Sequence, residues 1–246
     1  MKVLVVIPAR YASTRFPGKM LTLVADKPLI LHAWQNASRS KQVERVLVAT
    51  DDERIAQVIE EAGGEAVMTD PALPSGTDRI AAAVGDLADA YDYIINIQGD
   101  EPLFTAEEMD RFISKLDGSP MATLARQMDA LEDVSDLNVV KVVADANGHA
   151  LYFSRLPIPC DRDQTGGGEG YLHHLGIYAY RPETLKKLLT LPMGRLEIQE
   201  KLEQLRALEN GITIQVVLTS LLSIGVDVPE DVKRVESLLS KVDESV

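Results

Sequence analysis

Cysteine is almost missing from this chain of 246 residues: Cys160 stands alone. No disulfide can close within one molecule, and such usage suits a reducing cytoplasm. Flanked by Pro159 and Asp161, its thiol reads as unremarkable rather than nucleophilic. Long apolar runs are also lacking. Nothing approaches the ~20 residues that a membrane-spanning helix needs. The N-terminus offers one Lys and six apolar residues before Pro8-Ala9-Arg10, too little for a secretory signal. Positive charge is scarce: 25 Lys and Arg stand against 38 Asp and Glu, for a net charge of −13. That balance argues against a general nucleic-acid binder, which shows a basic face, but a local basic patch for an anionic substrate stays open. No period of 20–50 residues recurs, so the chain is not a repeat protein, and no low-complexity linker divides it.

Two common nucleotide loops are absent as well. The pattern G-x-x-x-x-G-K-[S/T] fails because neither Ser nor Thr follows Lys19, and G-x-G-x-x-G is not found. The second absence counts against a nicotinamide-dependent dehydrogenase. In their place stands residues 8–19, Pro-Ala-Arg-Tyr-Ala-Ser-Thr-Arg-Phe-Pro-Gly-Lys. The stretch follows Lys2-Val-Leu-Val-Val-Ile7, a run that reads as a strand buried on both faces of a parallel sheet. The loop carries Arg10, Arg15 and Lys19 and no acid, so it is net +3 in a chain of net −13. A basic, glycine-containing loop at the carboxyl end of a first strand suits a polyphosphate. Arg forks onto phosphate oxygens and Lys supplies a compact charge. Ser13 adds a hydroxyl donor and Gly18 allows close backbone approach.

Apolar content of 46% and charged content of 26% are ordinary for a globular protein. The length predicts one large domain with room for a subdomain. The first half alternates strand and helix. A helix opens at Pro28, a strand runs 43–50, a helix from 52 ends at Gly63-Gly64, a strand covers 65–69, a loop covers 70–77, a helix follows it to about 89, and a strand covers 93–98. That alternation predicts a doubly wound, Rossmann-like α/β sheet, mixed and mostly parallel. The second half reads as a β-rich insertion. A hairpin turns at Ala146-Asn147-Gly148, a strand runs 175–180, helices cover 182–191 and 197–209, a strand runs 212–218, and a last helix opens at Pro229. The triplet Gly166-Gly167-Gly168 reads as a surface loop. The expected division is about 1–135 with 205–246 as a nucleotide-binding sheet, and about 136–204 as a subdomain of a single domain.

Asp100, in Gln98-Gly-Asp-Glu-Pro102, lies just past a buried strand, where ligands collect in open α/β sheets. A carboxylate there, beside a polyphosphate loop, suits Mg²⁺, which takes one or two carboxylates plus phosphate oxygens. The alternatives are a turn residue, or Glu101 as the ligand. Asp227, between a short apolar run and Pro229, is either a helix cap or a second metal ligand. Ser75-Gly-Thr-Asp-Arg79 can read a base edge or simply start a helix. Arg155, the neighbours His173 and His174, Tyr178, Glu203 and Gln204 can bind a carboxylate and hydroxyls. Adjacent residues on a strand face opposite ways, so at most one histidine serves a site.

Taken in order, the loop at 8–19, Val48-Ala-Thr-Asp51, Ser75–Arg79, Asn96–Pro102, Val140–Val143, Ala150–Arg155, His174–Tyr178, Leu202–Arg206 and Val226–Asp231 resemble the pattern of CMP-Kdo synthetases (3-deoxy-manno-octulosonate cytidylyltransferases) over nearly the whole chain. The resemblance implies a cytoplasmic nucleotidyltransferase that joins CTP and the sugar acid Kdo, giving CMP-Kdo and pyrophosphate for lipopolysaccharide synthesis. It implies Mg²⁺ on Asp100 and Asp227, and a homodimer formed through the β-rich half. It places Arg10, Ser13, Arg15 and Lys19 on the triphosphate, with Arg10, Lys19, Asp100 and Asp227 carrying the chemistry. Ser75, Gly76, Arg79 and Gln98 fall near the cytidine; Gln98, Arg155, His174, Tyr178, Glu203 and Gln204 fall near the sugar acid. Two departures stand out: Ser220–Gly225 replaces a glycine-rich approach, and Val228 stands where the family has Thr. Activation of 8-amino-Kdo or another acidic sugar, use of another nucleotide, and a non-catalytic nucleotide-binding regulator are the competing readings.

Overall fold

The computed structural model describes residues 1–12, 16–162, 170–221 and 225–243. The chain forms two compact units, residues 1–113 with 222–246, and residues 114–221. These bounds differ from the expected 135 and 205, because the strands on either side of those positions pair within the second unit.

In the first unit β1 (Val3–Ala9) is followed by a ribbon of β2 (Leu23–Val24) and β3 (Lys27–Pro28), then α1 (Leu29–Arg39), β4 (Arg45–Thr50), α2 (Glu53–Glu61), β5 (Glu65–Met68), α3 (Gly76–Val84), β6 (Tyr93–Asn96) and α4 (Ala106–Ser114). The strand order is β6-β1-β4-β5, with every pair parallel. All seven residues of β1 are buried, as a central strand covered on both faces requires. Local chemistry sets the helix ends. Asp52 caps α2 by accepting the Arg54 N–H at 3.0 Å, and Ser75 caps α3 by accepting the Asp78 N–H at 3.1 Å. The helix expected to reach Asp89 stops earlier: Gly85 takes φ +45° and a 3₁₀ turn carries the chain from Gly85 to Ala90.

The second unit contains β7 (Met121–Gln127), β8 (Lys141–Ala144), β9 (Ala150–Ser154), β10 (Leu172–Tyr180), α5 (Pro182–Thr190), α6 (Arg195–Glu200), α7 (Gln204–Glu209) and β11 (Ile214–Thr219). β11 pairs parallel with β7; the pairs β7–β10, β10–β8 and β8–β9 are antiparallel. The β8–β9 hairpin turns where expected, with Asp145 Oδ1 accepting the Asn147 and His149 N–H groups at 2.8 and 2.9 Å. The single helix expected over 197–209 is two. Lys201 turns left-handed at φ +55°, and Arg206 reaches back across the break to fork onto Glu197. The β-rich insertion is thus present. Its strand β7, and α4 before it, lie in a stretch from which the sequence yielded no element. Gly166–Gly168 lies outside the described residues.

α8 (Asp231–Asp243) returns to the first unit. Val226 and Val235, both fully buried, pack with Val24 and Leu29, and Phe16 and Val232 pack against them. The Ala25 N–H donates to Glu236 at 3.0 Å. This small core seats the chain's late segment on the β2–β3 ribbon. Leu29→Ala is expected to lower unfolding free energy by about 2–5 kcal/mol, while Leu23→Ala, at an exposed site on the same ribbon, changes it by under about 0.5 kcal/mol. Urea denaturation of the two variants checks the contrast.

Candidate active site

Lys19 lies at the centre of the site. Gly18 holds φ +72°, a conformation that favours glycine, and its N–H closes the basic loop onto the Tyr11 carbonyl at 3.0 Å. The chain then tightens into a 3₁₀ turn, Lys19–Leu21, that buries Lys19 and Met20. A buried ammonium must be paired, and two carboxylates meet it: Lys19 Nζ donates to Asp100 Oδ2 and stands 3.5 Å from Asp227 Oδ1.

Each carboxylate has a traceable cause. Asp100 follows Gly99, where a Cβ would lie 2.8 Å from Ile30 Cδ1 and 3.0 Å from Met20 Sδ; only glycine lets the turn after β6 press so close to α1 and the Lys19 turn. The Asp100 carbonyl accepts the Val226 N–H at 3.1 Å, so the two acid-bearing segments are joined by backbone as well. The expected last helix begins two residues later than Pro229 suggested. Asp231 Oδ2 accepts the N–H groups of Asp227 and Val228 at 2.8 and 3.0 Å, which ties the turn before α8 and leaves the Asp227 carboxylate directed at Lys19. Asp100, not Glu101, is the acid on the cavity wall.

The cavity above Lys19 has a volume of about 300 Å³. Eight of the residues expected in a nucleotide and metal site line it together: Arg10, Lys19, Ser75, Gly76, Arg79, Gln98, Asp100 and Asp227. It opens beyond the carboxyl ends of β1 and β6, where ligands gather in open α/β sheets. Ser13 and Arg15 lie outside the described residues. Arg79 is 3% exposed and its charge is matched by Asp51 at 3.0 Å. Asp51 was visible in the sequence only as part of Val48–Asp51, with no role attached. Its signal was position: an acid one residue past β4, on the same edge of the sheet as the basic loop.

The other expected residues gather in the second unit. His174 is buried, with Nε2 3.1 Å from Thr123 Oγ1. Its ring meets Phe153 edge-on at 5.0 Å and Tyr178 at 5.4 Å. Gln204, at the start of α7, is buried, and among the described residues its Nε2 has no hydrogen-bond partner. Glu203 precedes it and is half-buried. Arg155 is engaged with backbone: Nε donates to the Glu200 carbonyl at 2.7 Å, Nη1 to Leu137 at 2.8 Å and Nη2 to Lys201 at 3.3 Å. It fastens the end of β9 to the left-handed turn after α6.

The model of the cytidylyltransferase family matches residues 4–214. The chain belongs to the cytidylyltransferase family. A 3-deoxy-manno-octulosonate cytidylyltransferase from Thermodesulfovibrio yellowstonii is 48% identical, across 98% of this chain and 99% of the relative. One of the same description from Syntrophobacter fumaroxidans is 46% identical, across 98% of each. The solved structure of a CMP:2-keto-3-deoxy-manno-octonic acid synthetase complexed with CTP superposes with a TM-score of 0.86 at 37% identity, covering 98% of this chain and 99% of that one. The α/β fold with a mixed, mostly parallel sheet is therefore the fold of that synthetase.

In this cytidylyltransferase the two adjacent histidines are both held neutral. Burial pushes His174 down to about 3. Burial, reinforced by the nearby Arg126 charge, pushes His173 down to about 4. Unfolding returns each imidazole to about 6.5, so the unfolded chain binds more protons below that pH. The stability this neutrality supports is fully present above about pH 6.5 and is lost progressively as pH falls toward 3–4. Lowering pH from 6.5 to 5.5, before carboxylates titrate, is expected to reduce unfolding free energy by about 1 kcal/mol per histidine. Urea denaturation at the two pH values should show the drop, and His174→Gln should shrink it.

Proposed function

We propose that the chain transfers CMP from CTP to Kdo, giving CMP-Kdo and pyrophosphate. The observation that carries this is the convergence of Asp100 and Asp227 on the Lys19 ammonium at the floor of a cavity that also presents Arg10, Arg79 and Gln98. It is supported by full-length similarity to relatives described as 3-deoxy-manno-octulosonate cytidylyltransferases.

In this reading the anomeric hydroxyl of the sugar acid attacks the α-phosphorus in line with departing pyrophosphate. The chain's residues position the reactants and stabilise charge. Arg10 and Lys19 hold triphosphate oxygens, with Ser13 and Arg15 completing the loop's contribution. Ser75, Gly76, Arg79 and Gln98 hold the cytidine. Two carboxylates directed at one cation form the hard-oxygen donor set that Mg²⁺ takes, so Asp100 and Asp227 fit that ion. When bound there, it neutralises phosphate charge and lowers the pKa of a coordinated hydroxyl. The second unit serves the sugar acid: Gln204 offers a buried Nε2 with no partner among the described residues, His174 and Tyr178 offer a neutral ring and a phenol beside it, Glu203 supplies a carboxylate, and Arg155, donating to three carbonyls, holds the end of β9 in place. Exposed Leu131, Leu137, Leu151 and Leu156 on that unit support pairing of two copies there. The single cysteine supports a cytoplasmic setting, and no helix among the described residues is long and apolar enough to cross a membrane.

The test is pyrophosphate release from CTP with Kdo, 8-amino-Kdo and a sialic acid, with and without Mg²⁺. Release with Kdo is expected. CTP binding without release from any of the acids would instead identify a binding protein. Asp100→Asn is expected to lower Mg²⁺-dependent kcat about 10²–10³-fold; full turnover in that variant would remove the carboxylate from the chemistry.

A further inference from the structure

Asp51 touches Tyr11, the neighbour of the cavity-lining Arg10, and Arg79 on the cavity wall, without lining the cavity itself. Its Oδ1 accepts the Tyr11 N–H at 3.0 Å, at the point where the basic loop leaves β1. Its Oδ2 accepts from Arg79 Nη2 at 3.0 Å, on the wall formed by α3. The Asp51 and Arg79 side chains are only 8% and 4% exposed, so the pair is shielded from water and its geometry is fixed. Thr69 completes the arrangement: its Oγ1 accepts from Arg79 Nη1 while donating to the Thr50 carbonyl at 3.0 Å. One carboxylate oxygen thus orients a loop and the other orients a guanidinium. Tyr11 is fixed on three sides: by Asp51, by the Gly18 N–H on its carbonyl, and by the Arg54 guanidinium 3.7 Å above its ring.

Arginine presents five N–H donors in a rigid fork. Asp51 and Thr69 take one donor from each Nη, which leaves the remaining donors directed by a fixed frame. We propose that Asp51 is a positioning residue for nucleotide binding, which couples the placement of the phosphate-side loop to the orientation of Arg79. The proposal rests on the reading of the cavity as the CTP site. Removing the Asp51 charge leaves a shielded guanidinium unmatched and the loop's entry untied, so both walls lose their arrangement together.

The experiment measures CTP KM and kcat by pyrophosphate release at saturating Kdo, and CTP affinity by calorimetry, for wild type, Asp51→Asn, Arg79→Lys and the double variant, with thermal unfolding alongside. Asp51→Asn is expected to raise KM and Kd for CTP about 10–100-fold while kcat at saturating CTP stays within about 5-fold. The double variant is expected to fall short of the product of the single effects, because the two residues act as one unit. A merely structural Asp51 would lower Tm and the active fraction at unchanged KM, and would overturn the proposal, as would fully multiplicative effects. If Asp51→Asn does not fold, Thr69→Val tests the same frame without a change of charge: a rise in CTP KM of about 3–10-fold at constant kcat supports the proposal, and an unchanged KM overturns it. Wild-type protein that binds no CTP overturns the site reading and this proposal together. Wild-type protein that binds CTP while a folded Asp51→Asn binds it equally well overturns this proposal alone.

Discussion

A lysine ammonium buried at the floor of a cleft is the constraint from which the first unit's architecture follows. Desolvating such a charge is unfavourable by several kcal/mol unless carboxylates meet it. The acids that meet Lys19 come from positions 100 and 227, one just after β6 and the other just before α8. The fold must therefore bring a strand end, a loop and a late segment to one point. Gly99 permits the close approach, the Val226 N–H bonds the Asp100 carbonyl, and the Val24–Leu29–Val226–Val235 core holds the late segment against the ribbon. The local charge is one ammonium against two carboxylates, a net −1. An arrangement that is still anionic after pairing attracts a further cation; Arg10 on the same cavity offsets it, while the charge of Arg79 is matched by Asp51. A chain of net −13 can bind a polyphosphate because its cations are concentrated where the strands end.

The second unit handles polar burial by another route. Lys141, fully buried, gives its three donors to the carbonyls of Asp136, Val139 and Arg155, and burial lowers its pKa. Arg155 in turn donates to carbonyls of Glu200, Leu137 and Lys201. Glu200 answers by accepting from Ser154 and from the Arg155 N–H, at 2.8 and 3.0 Å. These cations are satisfied by backbone dipoles, which fixes loops and strand ends against each other. Histidines 173 and 174 are neutral for the complementary reason: their surroundings offer little to stabilise a proton. The unit is therefore pH-sensitive in its folding while its rings keep one protonation state through the neutral range.

Much of this was legible in the sequence because it depended on local patterns. The β-branched run before Pro8 announced the central strand. Strand–helix alternation announced the parallel sheet of the first unit, and Asn147-Gly148 announced the hairpin. Of the residues assigned to nucleotide and metal, those within the described chain line one cavity, since strand-end position is itself a local signal. What escaped depended on tertiary pairing. Thr105 and Gly118-Ser119-Pro120 punctuate the stretch containing α4 and β7, but β7 takes its place in the sheet from β10 and β11 on either side. The break between α6 and α7 follows from Lys201 turning left-handed, a conformation that no propensity of lysine signals. The division into units moved because β7 pairs with β10 on one side and β11 on the other, which draws residues 121–127 and 214–219 into the second unit.

Asp51 shows why site composition and site geometry are separate kinds of knowledge. A sequence can mark Arg79 as a cation near a ligand, but the direction of a guanidinium is set by what holds its other donors. Here those holders, Asp51 and Thr69, sit at the ends of β4 and β5, neighbouring strands in the sheet. The Thr50 carbonyl fixes Thr69 in turn. The register of β4 against β5 thereby reaches the cavity wall: a slip of one residue would turn Asp51 to the other face and leave Arg79 without its partner. Parallel pairing at the edge of the sheet and orientation of a charged side chain at its rim are consequently one constraint, imposed on the backbone and expressed at the cavity.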